Sequence, residues 1–326
     1  MLKDDVLSLL SSACAPLSGQ AMSQTLGVSR AAVWKAMEAL RAEGYEIGSR
    51  PGLGYRLLSA PDLLSPGELA RPGQGVGNRV ICLDVTDSTN NECKRLAAQG
   101  AQSGLVVIAG EQTGGKGRRG RSFQSLPGKG LYLSVLLRPQ CSLAQVQQLT
   151  AWCAVAVCWA MERLGDLSCQ IKWVNDPLIQ GKKLCGILCE LGLDDDGRLD
   201  YVVMGMGINI SQSEADFGPE LSPIATSLGQ HMPQVPRRAD VARALIEELN
   251  TLWESFPHQK GRYLEEYRRR CVTTGREVRL VRGGEARDAF AQRINEDFTL
   301  HVRFPDGSEE DVFSGEASVR GLYGYT

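Results

Sequence analysis

The sequence has little of what marks several common classes of protein. Three histidines occur in 326 residues and no two cysteines stand in a Cys-x-x-Cys spacing, which excludes a metal centre of the usual histidine and cysteine pattern. No apolar run is long enough to cross a bilayer, since LTAWCAVAVCWAM at 149–161 ends at Glu162 and is predicted to be a buried helix. The formal net charge of −2 gives no overall attraction to nucleic acid, so DNA binding would need a local basic patch.

The first residues and the cysteines together predict a cytoplasmic protein. The start, MLKDDVLSLLSS, carries two acids directly before its apolar run, so we expect neither a signal peptide nor a membrane partner. Ten cysteines are scattered singly along the chain, and the closest pair, Cys185 and Cys189, lies in the apolar run LCGILCEL. Such cysteines are typical of small buried side chains that stay free thiols in a reducing compartment.

Residues 1–60 have the pattern of three helices followed by a β-hairpin. Ser18 and Ser29 stand at the N-cap positions of GQAMSQTL and RAAVWKAMEALRAEG, and Gly27 between them fits a tight turn. YEIGSRPGLGYRLLS then alternates apolar and polar residues around a Pro-Gly-x-Gly tip, as the two strands of a hairpin do. This is the order of a winged helix-turn-helix, in which the second helix of the pair enters the DNA major groove.

Six residues of this N-terminal domain are candidates for contacts with DNA, because they lie in the expected groove-entering helix or beside the wing. They are Ser29, Arg30, Lys35, Arg41, Arg50 and Arg56. Between residues 29 and 56 there are five cations and three acids, a modest excess that suits phosphate contacts. A small helical protein-interaction module is the alternative interpretation of the same pattern.

The rest of the chain is predicted to contain a linker and two further domains. Residues 61–78 are rich in proline and glycine and are predicted to be the linker. Residues 79–270 alternate strands and helices, several of them joined by short connections, which predicts a mixed α/β domain with antiparallel pairing. Residues 271–326 switch to short strands and turns, which predicts a small SH3-like β-barrel of about five strands. The expected fold class is α+β with several domains.

The stretch GEQTGGKGRRGR at 110–121 has part of a phosphate-binding P-loop but lacks the rest. Gly110 to Lys116 fit its first seven positions, whereas Gly117 stands where a magnesium-binding Ser or Thr is required. The following RRGRSFQSLPGKG contains further glycines and a proline, so no helix can begin there to face the phosphates. A P-loop nucleotide hydrolase is therefore excluded.

The chemistry of this loop still indicates a function. Five cations lie between residues 116 and 129 without an acid among them, and the glycines allow backbone amides to approach a ligand and leave the loop mobile. A mobile cationic loop suits an anion that must be enclosed, such as a carboxylate being joined to a phosphate. The alternative is a basic loop that is merely solvated.

Five motifs, in their order along the chain, resemble those of the biotin–protein ligases. GKGRRGR is similar to the family's Gly-Arg-Gly-Arg-Arg-Gly-Arg loop, and KWVNDPLIQGKKLCGILCE at 172–190 is similar to its Lys-Trp-Pro-Asn-Asp and Lys-Leu-x-Gly-Ile-Leu-x-Glu segments. DSTNN at 87–91, GMGINI at 205–210 and FSGEASVRG at 313–321 resemble the remaining three motifs. With the N-terminal winged helix, the chain resembles the bacterial class that is both biotin–protein ligase and biotin operon repressor.

This resemblance implies a two-step reaction. ATP and biotin form biotinyl-5′-adenylate and pyrophosphate, and the ε-amine of an acceptor lysine then attacks the mixed anhydride. The implied acceptor is a biotin carboxyl carrier protein or domain. The other implied partners are Mg²⁺, operator DNA and a second copy of the chain in a ligand-dependent homodimer.

The family motifs also assign roles to residues of this sequence. The implied biotin-binding residues are Ser88, Thr89, Asn90, Gln112, Lys116, Gly117, Arg118 and Lys183. Neutral hydroxyls and amides suit the ureido ring, which offers one carbonyl and two N–H groups. The implied nucleotide-binding residues are Arg118, Arg119, Arg121, Lys172, Asn175 and Asn209. The implied catalytic residues are Lys172, Lys183, Arg118 and Asp176, and Asp176 is also the expected ligand of Mg²⁺.

Two positions depart from the family pattern. Lys116 stands where Arg is common, which exchanges a planar five-donor group for a point charge and predicts weaker loop closure or dimer contacts. Val174 stands where Pro is usual, and Pro177 follows Asp176, so we expect the turn to be fixed one step along the chain. Two alternative functions stay open: a lipoate ligase or octanoyl transferase, and a non-catalytic regulator that only senses a ligand.

Overall fold

The first 60 residues fold into three helices and a hairpin, which confirms the pattern predicted for them. The structure is a computed structural model that describes residues 1–50, 52–71, 73, 75–313 and 318–321. The elements of this part are α1 (Leu2–Ser12), α2 (Gly19–Leu26), α3 (Arg30–Ala42), β1 (Glu46–Arg50) and β2 (Gly54–Ser59). Pro51, at the predicted wing tip, lies outside the described residues.

The predicted caps fix the two helices of the helix-turn-helix. The Ser18 hydroxyl accepts a hydrogen bond from the Ala21 amide (3.0 Å), and the Ser29 hydroxyl accepts one from the Ala32 amide (3.2 Å). Gly27 lies between the helices with φ 64°, a left-handed conformation that glycine adopts without steric cost. α3 then buries its apolar face against α1, so its polar face is left to solvent.

The segment that follows the hairpin packs closely against both neighbouring parts of the chain. It contains α4 (Pro66–Leu69), a single turn with Ser65 at its N-cap. A Cβ atom on Gly67 would lie 2.6 Å from the Asp4 carbonyl oxygen, which shows how closely α4 approaches α1. α4 also contacts the helix Arg238–Ser255 of the central part. These residues therefore connect two folded parts through packed structure.

The central part is built on a mixed five-stranded sheet. Its elements up to the third strand are β3 (Arg79–Thr86), α5 (Thr89–Ala98), β4 (Leu105–Gln112) and β5 (Gly130–Leu137). Later elements are α6 (Leu143–Gln147), α7 (Leu149–Glu162), β6 (Cys169–Lys172), β7 (Asp176–Ile179), β8 (Lys182–Lys183), β9 (Cys185–Leu193), β10 (Leu199–Asn209), α8 (Glu214–Leu221), α9 (Arg238–Ser255) and α10 (Lys260–Arg270). The strand order is β3-β4-β5-β10-β9, with β3 and β4 parallel and the other neighbours antiparallel. The predicted antiparallel pairing is thus right for three of the four strand pairs of this sheet.

Helix α7 lies at the centre of the largest core. Nearly all of its residues are buried between the sheet and helices α9 and α10, which confirms the prediction of a buried helix. A smaller sheet, β6-β7-β8, lies beside it. All ten cysteines are free thiols, and Cys153, Cys158 and Cys169 are among those buried in this core. No helix among the described residues has the length and apolar character needed to span a membrane.

The last part of the chain is a small antiparallel sheet, as predicted. Its strands are β11 (Arg276–Arg282), β12 (Glu285–Ile294), β13 (Leu300–Arg303), β14 (Glu309–Val312) and β15 (Ser318–Gly321). The order is β14-β13-β12-β11-β15, so the last strand pairs with the first. Trp173 joins this part to the central one, because its indole N–H donates to the Phe298 carbonyl (3.0 Å).

Candidate active site

One cavity, which lies over strands β9 and β10 where β4 ends and α5 begins, contains the residues implied to bind biotin. All eight of them line it, and Asn175 joins them from the implied nucleotide set. They come from four separate places: the start of α5, the end of β4, the glycine-rich loop and the β8 turn. The other lining residues are Phe123, Gly186, Ile187, Leu188, Gly205, Met206 and Gly207.

One wall of the cavity is a network of neutral hydrogen bonds. The Gln112 side-chain carbonyl accepts from the Thr89 amide (2.9 Å) and from the Thr89 hydroxyl (3.1 Å). The Gln112 amide N–H donates to the Ser125 hydroxyl (2.9 Å), so the orientation of Gln112 is fixed at both ends. Ser88 holds the N-cap position of α5 without a capping bond from its side chain. This wall can present hydroxyl and amide groups to a neutral polar ligand.

Asn90 supports this wall from behind. The Ser134 hydroxyl lies 2.6 Å from Asn90 Oδ1, and Asn90 Nδ2 donates to the Leu188 carbonyl (3.3 Å) and to Glu190 (2.8 Å). Both N–H groups of the buried amide are therefore used within the protein. Asn90 lines the cavity, but its hydrogen bonds hold α5 against β9, and we assign it a positioning role.

The glycines of the GMGINI motif make room for two side chains of the site. A Cβ on Gly205 would lie 2.0 Å from Asn90 Oδ1, and a Cβ on Gly207 would lie 2.5 Å from the Phe123 ring. Gly186 is the register partner of Gly207 in β9, and a Cβ there would lie 3.2 Å from both Lys183 and Phe123. Any larger side chain at these three sheet positions would occupy the space that Asn90, Phe123 and Lys183 now fill.

Three cations also line the cavity. Lys116 Nζ donates to Asn91 Oδ1 (2.7 Å), and Arg118 donates to Asn175 Oδ1 (3.2 Å). Lys183 Nζ lies 2.6 Å from Asp176 Oδ1. Burial lowers the pKa of the Arg118 guanidinium below its usual value, although neighbouring Asp176 opposes this. Since arginine stays charged in proteins, a partly desolvated Arg118 favours the arrival of an anion.

The other two arginines of the loop point elsewhere. Arg119 Nη1 donates to the Val281 carbonyl (2.9 Å) of β11, so this side chain ties the loop to the C-terminal sheet. Arg121 is exposed and lines a second cavity next to the first. Phe123 and Lys183 line both cavities and separate them. Of the residues implied to bind nucleotide, Arg118 and Asn175 therefore line the first cavity, Arg121 and Asn209 line the second, and Arg119 lines neither.

The second cavity has an apolar wall and a polar edge. Phe217, Leu221, Ile224 and Ala225 form the apolar wall. Asn209 and Gln212 lie at its edge, where Gln212 Nε2 donates to Asn209 Oδ1 (3.1 Å). Apart from Asn209, sequence reasoning missed these residues. Such a space suits a flat aromatic ring with a few polar atoms.

Lys172 and Asp176 differ in how close they lie to the cavities, and so in how well they fit their implied catalytic roles. Lys172 is buried, lines neither cavity, and stands opposite Asp176 in the antiparallel β6–β7 pair. Asp176 lies beside the first cavity, paired with Lys183. No three metal-ligating side chains converge among the residues that the structure describes. A carboxylate already paired with a lysine and close to Arg118 is a poor donor set for Mg²⁺, so the residues present do not fit a protein-held magnesium site.

Although valine stands at position 174 where proline is usual, Asn175 still lines the first cavity. Val174 is buried, the peptide bond before it is cis, and its carbonyl accepts from the Tyr267 hydroxyl (3.2 Å). Asn175 Nδ2 donates to the Ile187 carbonyl (2.9 Å), which places its Oδ1 towards Arg118. The first four residues of the Ser-Gly-Glu-x-Ser motif, 314–317, lie outside the described residues, and its last residue, Ser318, begins β15.

The residues implied to bind DNA fall into two groups in the structure. Arg30, Lys35, Arg50 and Arg56 are exposed on α3 and the hairpin. Arg41 instead donates to Glu38 (2.6 Å) and to the Ile47 carbonyl (2.8 Å), so it is held within the domain. The Ser29 hydroxyl is the cap of α3. The cations that remain available lie around the start of α3 and on the wing.

Comparison with known proteins agrees with this arrangement. Residues 82–209 match the Biotin/lipoate A/B protein ligase family, and residues 3–56 match an HTH domain. The Bifunctional ligase/repressor BirA of Bacillus spizizenii is 41% identical over 273 residues, covering 78% of this chain and 84% of that protein. The Escherichia coli protein of the same name is 31% identical over 307 residues, covering 93% and 92%.

A solved structure has the same fold over most of its length. The structure of the Aquifex aeolicus biotin protein ligase in complex with biotin and ATP has a TM-score of 0.64 and 28% identity, covering 74% of this chain and 99% of that chain. This chain therefore belongs to the biotin/lipoate A/B protein ligase family, among its bifunctional ligase/repressors with an N-terminal helix-turn-helix domain.

Proposed function

We propose that this chain is an ATP-dependent biotin–protein ligase that also represses biotin-synthesis genes by binding operator DNA. The observation that carries the proposal is that one cavity is lined both by a neutral hydrogen-bonding wall and by Lys116, Arg118 and Lys183. Biotin has the matching asymmetry, with a neutral ureido ring at one end and a carboxylate at the other. The relatives named as ligase and repressor support both halves of the proposal.

Biotin binds with its ureido ring on the polar wall. Ser88, Thr89 and Gln112 offer hydroxyl and amide groups at that end, and Asn90 holds α5 in place. The carboxylate then points to Arg118 and Lys183, because these two charged groups contact Asn175 and Asp176 and not the residues of the polar wall. Gly117 allows the loop backbone to pass close to the aliphatic chain between the two ends.

ATP places its adenosine in the second cavity and its α-phosphate beside Lys183. Asn209 and Gln212 lie at the polar edge and Phe217 at the apolar wall, and Arg121 lies at the rim towards the phosphates. A carboxylate oxygen of biotin attacks the α-phosphorus, and the bond to the pyrophosphate oxygen breaks. Arg118 and Lys183 stabilise the charge that develops on the phosphorus oxygens. Lys172 acts through Asp176, its register partner, and not on the substrates directly.

The second step transfers biotin to a lysine of an acceptor such as a biotin carboxyl carrier domain. The neutral ε-amine attacks the acyl carbon, the bond to the phosphate oxygen breaks, AMP leaves, and the amine loses a proton. Arg118 and Lys183 neutralise the leaving AMP. The residues at Asp176 do not fit a protein-held ion, so magnesium would be held by the phosphates of ATP and would neutralise part of their charge.

Repression requires two winged helices to meet a palindrome, and a dimer supplies them. β9 ends the central sheet at one edge, and Leu191 and Leu193 on this edge are 45% and 56% exposed. An unpaired edge with exposed leucines favours pairing with a second copy. Closure of the glycine-rich loop on ligand is the proposed trigger.

Sedimentation tests the dimer. With biotin and ATP we expect a dimer that Leu193→Lys abolishes, and without them a monomer. A chain that stays monomeric with both ligands contradicts ligand-dependent dimerisation.

One incubation tests the enzyme. The full chain, ATP, Mg²⁺ and an acceptor domain are incubated with biotin or with lipoate, and the acceptor is measured by intact mass. We expect a biotin-sized gain that requires ATP and is absent from an acceptor whose target lysine is replaced by arginine. A lipoyl gain in its place supports a lipoate ligase, and no gain with retained DNA binding supports a ligand-sensing regulator.

A wall variant tests the assignment of the cavity. Gln112→Leu removes the bonds to Thr89 and Ser125, so we expect the KM for biotin to rise while the KM for ATP changes little. Equal effects on both would contradict the proposed orientation of biotin.

A further inference from the structure

The solvent face of α3 carries a large aromatic side chain, Trp34. Trp34 is 53% exposed, whereas Val33, Met37 and Leu40 of the same helix are buried. Arg30 lies one helical turn before Trp34 and Lys35 directly after it, and both are exposed. A large indole is thus held in water between two cations.

This position is one that can reach bases. In a helix-turn-helix the first turns of the second helix contact base edges, while neighbouring cations contact phosphates. Ala31 precedes Trp34 by three residues on the same side of the helix, and its small side chain lets the helix lie deep in the groove. Glu38, one turn further, is paired with Arg41 and adds no free acid to this face.

We propose that Trp34 determines sequence specificity by contacting the C5 methyl group of a thymine in the major groove. The methyl group is the apolar feature that the groove offers, and it distinguishes thymine from the other bases. The cations Arg30, Lys35, Arg50 and Arg56 around Trp34 favour DNA over an apolar protein partner, because they match the charge of phosphates. This inference rests on the proposed function, since it requires that the domain binds DNA.

Selection from a random pool tests the inference. The full chain with biotin and ATP selects duplexes from a randomised library, and the enriched sequences are compared for wild type, Trp34→Ala and Lys35→Ala. We expect wild type to enrich an inverted repeat with a fixed thymine in each half-site, and Trp34→Ala to lose preference at that base pair alone. Lys35→Ala should keep the preference and instead lower the slope of log affinity against log salt concentration by about one.

Replacing the thymine by deoxyuridine removes the methyl group and nothing else. We expect this change to weaken wild-type binding about tenfold and to leave Trp34→Ala binding unchanged. Biotinylation by Trp34→Ala and its thermal unfolding should equal those of wild type, since Trp34 is exposed and remote from the ligand cavity.

The outcomes separate the two proposals. If wild type enriches no sequence, the repressor half of the proposed function fails. If wild type enriches a motif that Trp34→Ala recovers unchanged, and deoxyuridine has no effect, this inference is overturned.

Discussion

Glu68 and Arg237 join two parts of the chain that are 169 residues apart: Arg237 Nη1 donates to Glu68 Oε2 at 3.2 Å. The Glu68 side chain is fully buried, and Arg243 lies 3.3 Å from the same oxygen. Burial, with Glu68 nearby, raises the pKa of the Tyr45 hydroxyl well above its usual range. Tyr45 belongs to the N-terminal domain, Arg243 to α9 and Arg237 to the N-cap of α9, so Glu68 lies where these parts meet.

We expect Glu68→Gln to loosen this junction. The variant keeps the shape of the side chain but leaves two arginines facing a neutral amide, which should lower the free energy of unfolding by about 1–3 kcal/mol. The loss is limited because Arg237 and Arg243 also pair with Asp240. Chemical denaturation measures the loss.

The matched control for Glu68→Gln is Asp196→Asn. It removes an exposed carboxylate 3.7 Å from Arg198, and we expect no measurable change. A Glu68→Gln protein as stable as wild type would show that the junction does not depend on this charge.

Arg118→Gly should release the activated intermediate. Arg118 closes the first cavity through its bond to Asn175, and its charge faces the position proposed for the adenylate phosphate. Without it the adenylate should escape and label lysines of bystander proteins, which intact mass of an added inert protein would detect. The matched control is Arg198→Gly in an exposed turn. Equal labelling by wild type and Arg118→Gly would remove the loop from its assigned role.

Gly205→Ala should damage the polar wall. The added Cβ would lie 2.0 Å from Asn90 Oδ1, so Asn90 must move and give up its buried bonds to Ser134 and Glu190. We expect a loss of stability of about 1–3 kcal/mol and a raised KM for biotin. Gly261→Ala in α10 is the control, because nothing lies within 4 Å of the added Cβ, and it should stabilise by up to about 1 kcal/mol. A normal KM in Gly205→Ala would contradict the role given to Asn90.

Local signals sufficed to predict the helix-turn-helix and the core helix. Ser18, Gly27 and Ser29 are caps and turns whose effect depends on adjacent residues, and α7 is apolar on all sides. The last helix of the central part, α10, has no such local signal. Its sequence KGRYLEEYRRR is dominated by charge, and its buried residues are Tyr263, Leu264, Tyr267 and Arg270, which pack only in the tertiary structure.

The candidate site was predicted through family motifs and not through geometry. The division of the loop arginines could not be inferred, because Arg119 reaches Val281, which is 162 residues away. Ser125 and Ser134 were missed for the same reason, since their hydroxyls meet Gln112 and Asn90 only after the strands pair. Phe123 had a signal that was not used: an aromatic residue in a polar, glycine-rich loop. The roles of all these residues stay predictions until they are tested.

The stability that Asp216 adds should disappear in acid. The backbone N–H and hydroxyl of Ser213, and then Lys129, lower the pKa of Asp216 to about 2. A carboxylate with a depressed pKa stabilises the fold above its unfolded pKa, about 3.9, and this contribution is lost as pH falls towards the folded value. Asp216→Asn should therefore melt below wild type at pH 7, and the two curves of Tm against pH should converge between about pH 4 and pH 2.

Asp216 caps α8, which supplies Phe217 and Leu221 to the second cavity, so the variant should also raise the KM for ATP. A Tm difference that stays constant down to pH 2 would show that the capping carboxylate is not the source of the effect, and Asp195→Asn in an exposed turn is the control.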